Sequence, residues 1–256
     1  MMIKRPFIIL VISLLTGVTA AAQSKKLNIV FIGNSITHGA GLANPLTDAP
    51  PVQACNWLRE KMPAMQVAYS NQGVSGATTV DFLPATNSLF NNVIKAANTF
   101  KSDKDATLVF SMILGTNDSA SEGPNGSPVS PADYEANVKI IMNRLLADYP
   151  GCIIILHRPI WYSPNTQNGA RYLVEGLARL QSYFPVLDKI VKDYQLTNPK
   201  QVFSGDVKGF AYFKKHPEFF QQEQGKAGIF LLHPNEKGAA ALGLLWGKAI
   251  KNRLSI

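Results

Sequence analysis

An α/β fold, a parallel sheet covered by helices on both faces, is what the order of segments in this chain predicts. Three observations carry that expectation. Short apolar runs alternate with longer helical patterns throughout, as βαβ units require. The first run, 27–32, has five apolar residues in six, which suits a strand buried on both faces. Three of the runs also end in Gly-flanked polar clusters: Gly33-Asn34-Ser35, the stretch 71–76, and Gly115-Thr116-Asn117-Asp118. Those are the carboxyl ends of strands, outside which an open α/β sheet binds its ligands.

The elements follow in order. The first strand stops at Gly33, and Asn34-Ser35 forms a sharp turn before a loop rich in Gly, Pro and Asn over 39–51. A helix is expected over 52–61, with Trp57 and Leu58 facing the core. Residues 66–69 read as a second strand, followed by a Gly/Ser loop over 71–79, and 80–98 reads as a helix with Pro84 near its start. The third strand, 107–114, is almost uninterruptedly apolar, and a well-patterned helix spans 132–149. A fourth strand spans 152–156. Residues 169–194 carry one long helix, or two with a break at Pro185. A short fifth strand is expected over 201–203, the stretch 206–228 shows no clear pattern, and a closing helix spans 234–254. Pro234 stands near the first turn of that helix, where a missing N–H costs little. No internal repeat and no low-complexity linker divides the chain, so 23–256 is expected to form a single domain.

The first residues read as an address. Lys4 and Arg5 precede an apolar stretch over 7–18, and Ala20-Ala21-Ala22 stands before Gln23, as in a cleavable signal peptide over 1–22. The stretch is shorter than the roughly 20 residues of a bilayer span. An exported protein, periplasmic or extracellular, with no stable membrane anchor after cleavage, is therefore expected. The formal charge of +8 comes from basic residues such as Lys189, Lys192, Lys214, Lys215 and Arg253, scattered and not interleaved with aromatics. They read as solvated helix faces, and no nucleic-acid partner is expected. Cys55 and Cys152 are too few for a disulfide scaffold and read as two buried thiols. No metal-ligand spacing and no GxGxxG motif occur, so neither a metal nor another cofactor is implied.

The polar clusters, together with Leu232-His233-Pro234-Asn235 ahead of the last helix, contain the parts of an acyl-transfer site. Acyl transfer needs a nucleophile, a base, and donors aimed at the oxyanion of the tetrahedral intermediate. Ser35 is the candidate nucleophile and His233 the candidate base. The N–H groups of Ser35 and Gly73, with the amide of Asn117, are the candidate oxyanion hole. A glycine at 73 lets a backbone donor approach substrate without a Cβ in the way.

These four blocks, in this order, resemble the SGNH (GDSL-type) hydrolase superfamily, over the chain from Leu27 to the final helix. The resemblance implies a three-layer α/β/α sandwich of flavodoxin-like type, with a mostly parallel five-stranded sheet. It also implies a nucleophile at Ser35, oxyanion donors at Gly73 and Asn117, and a catalytic histidine at His233. Two departures stand out. Gly-Asp-Ser is replaced by Gly33-Asn34-Ser35, which removes little, since that aspartate is not the family's triad acid. The aspartate three residues before the catalytic histidine is replaced by Phe230. His233 Nδ1 then needs another acceptor: a backbone carbonyl, as in Ser–His dyad members of the superfamily, or Glu223, Glu218 or Asp206. The carbonyl is preferred, because none of the three acids has the expected spacing.

The resemblance implies ester hydrolysis. No long apolar loop suggests a slot for an acyl chain, so short acyl groups, chiefly acetyl, are expected. A small-molecule or glycan ester is the expected partner, with His157, Arg158 and Trp161 after the fourth strand as candidate substrate contacts. A carbohydrate O-acetylesterase is the first expectation. A lysophospholipase or arylesterase of the same superfamily, or a catalytically impaired glycan-binding relative, is the alternative.

Overall fold

The computed structural model describes residues 25–86 and 89–254; the signal-peptide expectation at 1–22 lies outside them. Five strands, β1 (Lys25–Gly33), β2 (Met65–Gly73), β3 (Ala106–Ile113), β4 (Ile153–Leu156) and β5 (Val202–Ser204), form one parallel sheet in the order β2-β1-β3-β4-β5. That is the doubly wound order of flavodoxin-like sheets.

β1, β3 and β4 are largely apolar because each feeds two cores. From β1, Leu27, Ile29 and Phe31 join one apolar cluster, while Val30 and Ile32 join the other. β3 divides in the same way, with Val109 and Ile113 on one side and Phe110 and Met112 on the other. The first core is closed by α3 (Pro50–Lys61) packed on α8 (Glu236–Leu254), through Leu58, Leu242 and Trp246. The second is closed by α4 (Leu89–Thr99), α5 (Pro131–Asp148) and α6 (Leu173–Thr197), through Phe90, Met142 and Tyr183. Three layers result, as expected from the sequence. Cys55 and Cys152 are both unpaired and buried.

Several boundaries differ from expectation, each for a local reason. The helix expected over 80–98 is instead two 3-10 turns, Val80–Phe82 and Pro84–Thr86, followed by α4. Pro84 drives Leu83 to extended backbone (ψ 132°), since the residue before proline is pushed out of the helical region. By contrast α6 continues through Pro185, so the segment is one helix beginning at Leu173. The flanking Leu180, Tyr183, Leu187 and Ile190 are all buried against the sheet. Their burial offsets the roughly 3 kcal/mol that an interior proline costs. Pro45–Asp48 forms the short helix α2 inside the expected loop, and β2 runs on to Gly73. The unpatterned stretch contains α7 (Gly209–Lys215), a 3-10 turn at Pro217–Phe219, and a hairpin of β6 (Glu223–Gly225) with β7 (Gly228–Phe230).

Register brings the polar clusters together. Gly33 pairs with Gly73 on one side and with Ile113 on the other, so three adjacent strands end level. The segments after them emerge side by side.

Candidate active site

Ser35 opens the four-residue helix α1 (Ser35–His38). Asn34 caps it, its Oδ1 accepting from the Ile36 N–H at 3.0 Å. The Asn in place of Asp therefore keeps a capping role. As the first helical residue, Ser35 has an N–H with no intrahelical acceptor. Its hydroxyl lies 2.9 Å from His233 Nε2.

His233 arrives from the far end of the chain. It precedes α8, whose start moves from the expected Pro234 to Glu236, with Asn235 Oδ1 accepting from the Gly238 N–H. Behind the imidazole stands Glu223. Its Oε2 and Oε1 lie 2.9 and 3.0 Å from His233 Nδ1, and Oε1 also accepts from the His233 N–H at 3.1 Å. The expectation of a backbone carbonyl is therefore corrected: a carboxylate faces Nδ1. Glu223 is paired with Phe230 directly across the β6–β7 hairpin. Phe230, standing three residues before His233 where an aspartate is expected, is buried in the core. The carboxylate has moved to the opposite strand of a hairpin and still reaches the ring.

The other two acids are engaged elsewhere. Asp206 accepts from the N–H groups of Lys208 and Gly209 at the start of α7, and Glu218 pairs with His216 at 2.8 Å. The hairpin bearing Glu223 is held by the loop over 163–172. Asn165 Nδ2 donates to the carbonyls of Ile229 and Ala227, and Lys226 N–H donates to the Gln167 carbonyl.

A cavity of about 380 Å³ opens over Ser35 and His233 and is lined also by Ser75, Gly76, Asn117 and Tyr172. Gly73 is not among these residues. It ends β2, its N–H donates to Asn71 Oδ1 at 2.9 Å, and a Cβ there would stand 2.3 Å from the His38 nitrogen. The Gly73 N–H, expected to face substrate, is therefore turned to Asn71 and not into the cavity. The extra length of β2 puts the next glycine, Gly76, at the cavity wall instead. Gly76 sits at φ +81° with open space around it, and no local pattern in the sequence separates it from Gly73. Asn117 stays in place, with Oδ1 accepting from the Tyr172 hydroxyl at 2.7 Å and Nδ2 donating to the Ala77 carbonyl at 2.9 Å. One N–H of its amide remains for the cavity.

Asp118, next to Asn117, ties this segment to the Gly76 loop. Its Oδ1 accepts from both the N–H and the hydroxyl of Thr79. Complete burial pushes its carboxyl up to about 6, against the pull of the Thr79 contacts.

The expected substrate contacts after β4 are corrected. His157 is buried, with Nε2 2.9 Å from Ser111 Oγ and Nδ1 accepting from the Asp206 N–H. Burial pushes it down to about 3, so it is a neutral core residue. Arg158 pairs with Asp188 at 2.5 Å over the Phe184 ring. Trp161 packs edge-on against Phe220, 5.8 Å away. None of the three lines the cavity, because β4 ends one strand too far from Ser35 in the sheet order. The walls come from the segments around Gly123 and Gly169.

A family model described as the GDSL-like lipase/acylhydrolase family matches residues 31–241. No protein of curated function matches the chain in sequence. Among solved structures, the chain is similar to LAE5, an alpha/beta hydrolase enzyme from the metagenome of Lake Arreo, Spain (TM-score 0.59, 21% identity, covering 90% of this chain and 95% of that one). It is also similar to Est24, a carbohydrate acetylesterase from Sinorhizobium meliloti (0.56, 14%, 90% and 98%). A third similar structure is a two-domain esterase active on acetylated mannans (0.56, 15%, covering 91% of this chain). The chain spans about half the length of that esterase, 50%.

Proposed function

The chain belongs to the GDSL-like lipase/acylhydrolase family, carboxylic ester hydrolases, and from that premise we propose that it is a serine esterase removing acetyl groups from carbohydrate outside the cytoplasm. The observation that carries the reaction is the continuous chain of contacts from Ser35 Oγ through His233 to Glu223, at 2.9 Å on each side of the ring.

In this reading Ser35 Oγ attacks the ester carbonyl while His233 Nε2 takes its proton. Glu223 accepts from Nδ1–H, fixing the tautomer and stabilising the imidazolium that forms. The oxyanion is met by the N–H groups of Ser35 and Gly76 and by the second amide N–H of Asn117. Removing one such donor typically costs about 2.7–4 kcal/mol of barrier. His233 returns the proton to the departing alcohol, and the same groups then activate water against the acyl-enzyme.

Short acyl groups are supported by a wall of Ala, Gly, Ser and Asn with few large apolar side chains. The acetylated-carbohydrate activities named for two of the fold neighbours point the same way. Export is supported by the charged and apolar pattern of 1–22. The test is hydrolysis of p-nitrophenyl acetate, butyrate and decanoate, and acetate release from acetylated oligosaccharides, by wild type and Ser35→Ala. Ser35-dependent activity that is highest on acetate, with release from oligosaccharide, is expected. Rates rising with chain length would overturn the acetyl reading.

A further inference from the structure

We propose that Tyr172 is a positioning residue: its hydroxyl fixes the direction in which the Asn117 amide presents its free N–H to the oxyanion. The inference rests on the esterase reading above.

A side-chain amide is planar and turns about its last bond over broad wells. Its oxygen and nitrogen are nearly the same size, so sterics alone scarcely decide which end points where. One orientation gives an oxyanion a donor, and the reverse gives it a lone pair. Two contacts, one at each end of the amide, remove this freedom. Asn117 Nδ2 donates one proton to the Ala77 carbonyl at 2.9 Å, and Oδ1 accepts from the Tyr172 hydroxyl at 2.7 Å. With both fixed, the remaining N–H has a single direction. Tyr172 and Asn117 both line the cavity over Ser35.

The surroundings suit that role. Tyr172 and Asn117 are each 3% exposed, so the phenol is the donor that the fold itself supplies to Oδ1. Burial, and then the charge of Glu223, raise the Tyr172 hydroxyl above its usual range, which keeps its proton in place. The next residue, Leu173, is the one non-glycine with positive φ among the described residues, +53°. Such a conformation persists only where its surroundings hold it, and here it lies immediately after the phenol. The Tyr172 and Leu173 N–H groups both donate to the Thr166 carbonyl. The loop whose Asn165 holds the Glu223 hairpin therefore also carries the side chain that aims Asn117.

The experiment is a double-mutant cycle on p-nitrophenyl acetate, with Tyr172→Phe, Asn117→Ala and the pair. Asn117→Ala removes an oxyanion donor, with an expected loss of about 10²–10³-fold in kcat. Tyr172→Phe keeps the donor but frees it to turn, and is expected to lower kcat about 10- to 100-fold with KM within about threefold. In the Asn117→Ala background the same Tyr172→Phe change should alter kcat less than about twofold, because there is no amide left to aim. A merely structural role would give equal factors in both backgrounds, and that result overturns the proposal. So does an unchanged kcat in Tyr172→Phe. Should Tyr172→Phe alone fold poorly, the double variant carries no orphaned amide, and a kcat more than about twofold below that of Asn117→Ala overturns the proposal. An active wild type with an indifferent Tyr172→Phe defeats this inference alone. A wild type without Ser35-dependent hydrolysis defeats the esterase reading, and this inference with it.

Discussion

Replacing Glu223 by Gln is expected to lower kcat about 10³-fold while leaving the fold intact. Glu223 approaches His233 Nδ1 with both oxygens, at 2.9 and 3.0 Å, in a site where the two side chains are 24% and 14% exposed. The carboxylate's charge matters only when His233 carries the Ser35 proton, so its loss falls on the transition state. Two unit charges about 4 Å apart in a partly buried setting, at an effective dielectric of about 20, attract by about 4 kcal/mol. At 1.36 kcal/mol per decade that is about three decades in rate.

Glutamine is nearly isosteric, so Nδ1–H keeps an acceptor and the hairpin keeps its contact with the His233 N–H. Glu223→Ala, which loses orientation as well, is expected to lie lower, at about 10³–10⁴-fold. The assay is the initial rate on p-nitrophenyl acetate across a concentration series, with kcat and KM separated and circular dichroism run on each variant. A folded Glu223→Gln within about fivefold of wild type would refute the reasoning. It would restore the dyad in which a carbonyl suffices.

Three further outcomes follow from the same geometry. Gly76→Ala should fold, since a Cβ there meets nothing within 4 Å. The strained φ costs about 1–2 kcal/mol, so kcat should fall as the donor shifts. Gly73→Ala, whose Cβ would collide with the His38 backbone, should instead lower Tm by roughly 6–12 °C, from overpacking of about 3 kcal/mol. The reverse ordering in Tm would return the oxyanion donor to Gly73.

Urea titrations against pH test two buried groups of opposite sign. His157 is held neutral down to about 3 against an ordinary 6.5. The unfolded chain alone takes up that proton, and stability is lost as pH falls from 6.5 towards 3, by roughly 4–5 kcal/mol over the interval. Asp118, raised to about 6 from 3.8, destabilises the fold when ionised. Its penalty is relieved as pH falls from 6 to 3.8, by roughly 3 kcal/mol. Asp118→Asn removes the compensation, so its stability should fall more steeply than wild type below pH 6; parallel curves would refute the pair. Lastly, burial pushes the Cys55 and Cys152 thiols up to about 12. A disulfide-exchange reagent should label neither in the native protein and both in urea, and reductant should leave Tm unmoved.

Much of this protein was legible in its sequence because the signals are local. A strand covered on both faces is apolar at most of its positions, so β1 and β3 announce themselves as runs despite the buried Asn28 and Ser111, and the Gly-flanked polar residues mark where those runs stop. Ser35, Asn117 and His233 could be named because each stands in a short motif tied to one backbone geometry. Residues without such a tie were misplaced. His157 and Arg158 follow a strand on the expected side of the sheet, but the lateral distance from β1 to β4 is a property of strand order, and that order put them beyond reach. Gly73 and Gly76 are equivalent as residues. Only the register of β2 against β1, which extends the strand through Gly73, decides which of them faces the cavity.

Glu223 shows the limit most clearly. The Gly225–Gly228 spacing in an otherwise unpatterned stretch was the available sign of a hairpin, and pairing across it sets Glu223 opposite Phe230. Still, no spacing in the chain says that a carboxylate ten residues before His233 meets its ring. By itself the sequence determined the layers, the sheet and the three segments that carry Ser35, Asn117 and His233, because burial and turn chemistry act on neighbours in the chain. The tertiary structure alone decided which acid backs the histidine, which glycine lines the cavity and which phenol holds the asparagine. Those are choices between chemically equivalent groups, and only distance separates them.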